Sequence, residues 1–303
     1  MDAKFVFYTS IVNTKHGNAV TLLNLTPHNF PDTFDDLPID DHTREQILNI
    51  IGGRSGLVIV VGTEKTEKLG FIQLLLSKKH AEMKNTFSIG SMPWFSDSSY
   101  MQIKVRVEDR MELLEGMKVA LSQDPDIMYV EDLWDRRIMQ FALQSAITNL
   151  FIVSTLHFPD TLTALEYSNE SIENKTLLTK ALRGLIGVHV YRILCPHCKA
   201  VDDDFARQAR TMKMTRSAVE KNTVYKSVGC EQCGFSGYQG SKMVMEVLNL
   251  DEEIGEFLKA GHKFPLVREK LLHQGHKTIE LQSIDLVFAG EIAINDFKNV
   301  ERR

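Results

Sequence analysis

The sequence predicts an α/β fold with a largely parallel central sheet. Three observations carry that expectation. GLVIVVG at 56–62 is a continuous apolar run bounded by glycines, as a strand buried on both faces requires. Similar short runs recur at 126–132 and 150–157, each followed by a longer stretch of helical periodicity. Strand–helix alternation of this kind is the pattern of an α/β layer structure.

The elements follow in order. FVFYTSIV (5–12) and NAVTLLNL (18–25) form a hairpin pattern around Asn13–Gly17, and 26–41 is a polar, proline-bearing linker. A helix over 42–51 ends at Gly52-Gly53. After the strand at 56–62 come a helix at 67–80, strands at 85–91 and 99–107, a helix at 108–122, a strand at 126–132, a helix at 135–148 and a strand at 150–157. Helices are expected at 160–168 and 173–187, and, after MVMEVLNL at 243–250, at 251–260, 265–274, 278–289 and 293–300. The implied organisation is a hairpin and linker over 1–40, the α/β domain over 41–190, a cysteine module over 191–242 and a helical subdomain over 243–303.

A chain of 303 residues holds about two domains and buries enough surface to need no disulfide staple. Lys+Arg number 35 against 40 Asp+Glu, a formal charge of -5, which argues against a general nucleic-acid binder. No apolar run approaches the roughly 20 residues of a membrane span, and the first residues lack a secretion signal, so a cytoplasmic protein is expected.

All four cysteines fall in two matched pairs, Cys195-Pro-His-Cys198 and Cys230-Glu-Gln-Cys233. Two C-x-x-C turns supply the four thiolates of a tetrahedral zinc site, with Zn–S of about 2.3 Å and no open position, which makes the role structural. The alternative is two unrelated pairs of reduced thiols. The intervening residues carry a helix pattern near Asp203–Met214. His197 sits between ligands and is read as a surface residue.

GLVIVVGTEKTEKLG, LSQDPDIMYVEDLWD, IVSTLHFPD, LCPHCK and GCEQCGFSGYQG occur in that order. Together they resemble the motor domain of the type II secretion and type IV pilus assembly ATPases, the GspE/PilB-like family. The similarity spans about residues 45–300, the tetracysteine insertion resembles the assembly branch of that family, and residues 5–25 resemble the last hairpin of the family's preceding domain, so the resemblance implies an N-terminally truncated member with a remnant hairpin and linker over 1–40. It implies a RecA-like P-loop NTPase domain with a zinc insertion and a C-terminal helical bundle. It further implies hexameric rings at the cytoplasmic side of the inner membrane, ATP and Mg²⁺ bound between subunits, and an inner-membrane platform protein as partner.

The nucleotide motifs depart from the family pattern. A phosphate loop reads G-x-x-x-x-G-K-[ST]. Here Gly62 and Lys68 remain, with Lys65 between them, but Glu67 stands for the second glycine and Leu69 for the hydroxyl residue. A carboxylate about 4 Å from a phosphate charge repels it by roughly 4 kcal/mol at an effective dielectric of about 20, or roughly a thousandfold in affinity. Leu69 offers no oxygen to Mg²⁺. In the second acidic motif Glu131, Asp132 and Trp134 replace the family's glycine, glutamate and arginine. The catalytic carboxylates implied by the resemblance fall on Ser91 and Phe95, with Asp97 two positions away. The histidine box survives at His157, a downstream basic residue becomes Ala164, and Q-R-L becomes Val188-His189-Val190.

Each surviving residue has two readings. Lys68 is a phosphate ligand or a solvated lysine. His157 is a nucleotide sensor or a polar residue at a strand end. Glu131 and Asp132 bind metal or pair with Arg136, Arg137 or Lys68. Trp94, Phe95 and Trp134 fill the emptied cleft or form a partner surface. The sequence thus argues against bound ATP and Mg²⁺ and for a pseudo-ATPase, with Asp132 and His157 as vestigial catalytic positions and Gly62, Lys65 and Lys68 as a vestigial phosphate loop. It would serve as an interaction or regulatory subunit of a pilus or secretion motor, in a homo- or hetero-oligomer. The alternatives are a weak Mg-ATP-hydrolysing motor and a zinc-ribbon nucleic-acid module.

Overall fold

The computed structural model describes residues 7–15, 17–24, 30–81, 83, 85–91, 100–106, 109–205 and 221–301. An N-terminal antiparallel hairpin, β1 (Phe7–Thr14) and β2 (Gly17–Asn24), precedes helix α1 (Asp41–Ile51). The α/β unit then runs β3 (Gly56–Val61), α2 (Lys65–His80), β4 (Thr86–Gly90), β5 (Met101–Lys104), α3 (Arg110–Leu121), β6 (Ile127–Val130), α4 (Arg136–Ile147), β7 (Phe151–Leu156), α5 (Thr161–Ser171) and α6 (Lys175–Ala181). It closes with the long strand β8 (Leu182–Leu194). The short pair β9 (Ala200–Val201) and β10 (Tyr225–Lys226) lies in the cysteine insertion. Strand β11 (Tyr238–Asn249) and helices α7 (Glu252–Lys259), α8 (Phe264–His273), α9 (Ile279–Phe288) and α10 (Ile294–Glu301) complete the chain.

The central sheet has the order β11-β8-β3-β7-β6-β4-β5. Every pairing is parallel except β11 with β8. Successive side chains of a strand point to opposite faces, and β3 shows why its sequence is apolar throughout. Leu57, Ile59 and Val61 pack with α3, α4 and α5, while Val58 and Val60 pack with α1 and α2. Helix starts are set by side-chain caps: Asp40, Asp109, Asp135 and Asp160 each accept a backbone N–H of the first turn.

The helix expected over 173–187 stops at Ala181, and β8 begins at the next residue. Gly184 and Gly187 are poor helix formers, and Ile186, Val188 and Val190 are β-branched. Neighbours on both sides, β3 and β11, then supply ladder partners for this segment. Residues 243–249 accordingly lie in the central sheet, and β8 and β11 run through positions 190 and 242 as one antiparallel ribbon. The helix pattern near 203–214 lies outside the described residues beyond Phe205, as do Trp94, Phe95 and Asp97. Among the described residues, no helix is long and apolar enough to cross a membrane.

Candidate functional site

The carboxyl ends of β3, β4, β6 and β7 converge on a cavity of about 290 Å³, where ligands of open α/β sheets bind. Its lining includes Lys65 and Lys68 from α2, Ser91 after β4, Glu131 and Asp132 after β6, and Thr155 and His157 around the end of β7. Arg110, the first residue of α3, and Tyr129 complete the polar wall. The fold therefore brings together Lys65, Lys68, Asp132 and His157, the separated positions named from sequence. Gly62 lies at the β3 end, where a Cβ would meet the Val188 carbonyl at 2.8 Å.

A P-loop joins strand to helix through the whole glycine-rich motif, whose backbone N–H groups cradle phosphate. Here β3 ends at Val61 and α2 begins at Lys65, so only Gly62, Thr63 and Glu64 connect them. Lys65, Thr66 and Glu67 are already helical, and the Lys68 N–H is spent on the Glu64 carbonyl. Glu67, a residue with good helix propensity, suits this early helix start where a glycine would disfavour it.

Lys68 is only 6% exposed, which rules out the solvated reading, and its Nζ donates to the Leu156 carbonyl at 3.1 Å. Burial pulls its pKa down to about 8, against the opposing pull of Asp132. Glu131 pairs with Lys65 at 2.7 Å, not with Arg136, Arg137 or Lys68 as the sequence allowed. It also accepts the Ser91 N–H at 2.7 Å and the Ser91 hydroxyl at 2.9 Å. Burial raises its pKa, but the Lys65 ammonium and the Ser91 donors outweigh that and hold the carboxyl below its usual range. A Cβ at Gly90 would meet Glu131 Oε2 at 2.6 Å, so the carboxylate fits because residue 90 has no side chain.

Asp132 holds a positive φ of 61°, uncommon for a residue with a Cβ. Its N–H donates to Thr155 Oγ1 at 3.1 Å, and its buried Oδ1 has no hydrogen-bond partner. Burial pushes its pKa up, opposed by Lys68 and Arg110. Sequence reasoning assigned no role to Tyr129 and Thr155, although both lie within quoted motifs, and it missed Arg110, which no local motif marks and only the topology brings to the site. Leu69 lines the cavity where a cation would need oxygen. Trp134 is absent from this lining, which corrects the expectation that it fills the cleft. Its ring instead stacks on Tyr167 at 4.9 Å and packs against Phe158 at 5.3 Å.

The second site is the tetracysteine cluster. The sulfur atoms of Cys195, Cys198, Cys230 and Cys233 lie within 4.8 Å of one another. The Cys195–Cys230, Cys198–Cys233 and Cys230–Cys233 separations are 4.0, 3.8 and 3.8 Å. A tetrahedron with bonds of about 2.3 Å has edges of about 3.8 Å, so the thiolates fit a metal ion. A disulfide would require about 2.0 Å. The Gly229 N–H points at Cys198 Sγ (3.3 Å), and the Cys230 and Gly237 N–H groups point at Cys233 Sγ (both 3.2 Å). The Cys230 N–H, followed by that of Gly237, lowers the Cys233 pKa despite desolvation, whereas desolvation raises that of Cys198 against the Gly229 N–H. The knuckles sit where β8 ends and β11 begins, clamping the open end of the ribbon.

A largely parallel α/β sheet with a polar cavity at its strand ends, a metal-competent tetracysteine insertion and C-terminal helices define a RecA-like architecture. Residues 3–301 match the family described as Type II/IV secretion system protein, and the chain belongs to that family. It is 26% identical over 284 residues to the type II secretion system protein E of Dickeya dadantii, covering 93% of this chain and 55% of the relative. It is 25% identical over 235 residues to the type IV pilus assembly ATPase PilB of Thermus thermophilus, covering 78% of this chain and 26% of the relative. The chain thus spans about half the length, or less, of these curated relatives. Among solved structures it shares its fold with the pilus retraction motor PilT bound to ADP, at TM-score 0.64 and 16% identity, over 99% of this chain and 78% of that one. The Legionella pneumophila ATPase DotB gives TM-score 0.64 and 14% identity over 98% and 72% of the two chains.

Proposed function

We propose that this chain is a non-hydrolysing member of its family that serves as an interaction or regulatory subunit of a pilus or secretion motor. The observation that carries the reading is the three-residue connection between β3 and α2. Without the rest of the loop there is no nest of N–H groups for a polyphosphate. The Lys65–Glu131 pair and Leu69 support it, since one spends a cation internally and the other offers Mg²⁺ nothing. The partners that fit are another motor ATPase subunit or the inner-membrane platform protein, met at the cytoplasmic face. Cys195, Cys198, Cys230 and Cys233 would hold Zn²⁺, which closes the insertion and has no open position for catalysis. The -5 charge disfavours the nucleic-acid reading.

A second reading, a weak Mg-ATPase, draws on one observation. The unpartnered Oδ1 of Asp132 and the buried Lys68 share the cavity, an arrangement suited to a ligand. Calorimetric titration with Mg-ATP and a phosphate-release assay separate the two. The expected result is no binding at millimolar nucleotide and no turnover. Turnover by the pure protein that Lys68→Ala abolishes would replace the first reading with the second.

A further inference from the structure

We infer that the surface formed by Trp134, Arg110, Arg136 and Arg137 is a docking site for an acidic peptide segment of a partner protein. This surface shares only Arg110 with the cavity, and the inference stands whether or not nucleotide binds there.

The aromatic part is built, not incidental. Trp134 follows β6, Phe158 follows β7 and Tyr167 lies on α5, yet the three rings pack together with centroids 4.9–5.3 Å apart. The Tyr167 hydroxyl donates to the Trp134 carbonyl, fixing the loop that presents the indole. With one side of the ring supported in this way, Trp134 is still 43% exposed. A rigid, half-exposed tryptophan loses little entropy on binding, which is why such residues anchor protein interfaces.

The charge around it is biased. Among the described residues, the concavity beside the indole is lined by Arg110, Arg136 and Arg137 with one carboxylate, Asp135, while Asp132 interacts with Arg110 from the cavity side. Asp135 caps α4 and contacts Arg137 at 3.3 Å, while Arg136 donates to the Glu170 carbonyl at 2.8 Å. All three arginines stand in the first turn of a helix, Arg110 in α3 and Arg136 and Arg137 in α4. Cations at a helix N-terminus oppose the macrodipole, which offsets part of what the Arg137–Asp135 pair and the Arg136–Glu170 hydrogen bond contribute to folding. Three guanidinium groups around one exposed indole outnumber the two aspartates, Asp109 and Asp135, that cap these helices, which leaves an excess of positive charge next to an apolar platform. Carboxylate side chains match the guanidinium forks bidentately, and an adjoining proline or aromatic side chain matches the indole.

The test is fluorescence anisotropy with the full chain and a fluorescein-labelled peptide of sequence EEPEEF, alongside KKPKKF and a short oligothymidylate. The acidic peptide is expected to bind with an affinity that falls as salt rises, and KKPKKF is expected not to bind. Arg136→Glu with Arg137→Glu, both exposed positions, should weaken binding at least tenfold. Trp134→Ala should do the same, with Trp134→Phe retaining most of the affinity. Absence of binding to EEPEEF, affinity unchanged by the charge reversals, or tighter binding of the oligothymidylate would each overturn the inference.

Discussion

Glu67 Oε2 lies 3.2 Å from His189 Nδ1, and both side chains are largely buried. The two residues are 122 positions apart in the chain. The Glu67 carboxylate turns away from the cavity toward β8, where it meets the His189 imidazole. The His189 ring then sits edge-on to Tyr191 at 4.2 Å, and the Tyr191 hydroxyl accepts from Ser283 Oγ on α9 at 2.9 Å. Glu67 is thus half of a close contact that links α2 to β8 and, through Tyr191, to the C-terminal helices, although its Oε2 forms no hydrogen bond there.

That contact predicts coupling. In a double-mutant cycle of Glu67→Gln and His189→Gln, the interaction energy should be about 1 kcal/mol in favour of the native pair. Urea unfolding of the four proteins measures it. A cycle that closes to zero would show the two residues to be mere neighbours. Glu67→Gln alone should not create Mg-ATP binding, because the short β3–α2 connection and Leu69 are untouched.

Lys68 predicts a rise in stability at alkaline pH. Its folded pKa is about 8 and the ordinary lysine value is 10.5. Between those values the unfolded chain holds a proton that the folded chain has released, so unfolding stability climbs with pH. Below about pH 8 both states are protonated and the cost of the buried ammonium is fully present. The climb is on the order of 3 kcal/mol across that window. Lys68→Met should lose it, seen as a flatter dependence of unfolding free energy from pH 8 to 10 than in the wild type.

The sequence makes the alternating architecture legible because β3, β6 and β7 are buried on both faces and leave no choice but apolar runs. The four cysteines are equally legible, since two C-x-x-C turns have one economical geometry. The C-terminal helices fall within one or two residues of the expected bounds. What stays hidden depends on contacts between distant segments. Residues 182–187 look helical until β3 and β11 flank them. The burial of Lys68 follows from the Leu156 carbonyl 88 residues away. The Lys65–Glu131 pair needs β3 and β6 to be placed on either side of β7.

The tetracysteine cluster predicts one zinc ion per chain, released on chelation or on reaction of the thiols. Elemental analysis of protein purified without chelator checks the stoichiometry. Because the cluster clamps the outer end of β8 and β11, while beyond a bulge between Tyr238 and Ser241 the ribbon runs in register to Gly184 and Asn249, metal removal should loosen the insertion before the sheet. The sign to look for is new protease cleavage within 199–229 with the central sheet's amide protons still protected. Cys233→Ser should reproduce it, and a metal-stripped protein with unchanged cleavage would show that the cluster holds no structural ion.

The last expectation concerns Glu246, fully buried on β11. Its Oε1 contacts His276 Nε2 at 2.8 Å and accepts from the Thr161 hydroxyl, and its Oε2 accepts the Ile279 N–H at 2.9 Å. One carboxylate therefore ties α5, the turn before α9 and the first residue of α9 to the edge strand of the sheet. Glu246→Ala would strand a buried imidazole, a hydroxyl and an orphan helix N–H at once, and should cost about 3–5 kcal/mol. Glu246→Gln keeps the shape and one acceptor oxygen, and should cost less than half as much. Equilibrium urea unfolding resolves the two. If both variants lose the same amount, the site responds to charge alone, and the three-way hydrogen bonding is not what secures the C-terminal helices.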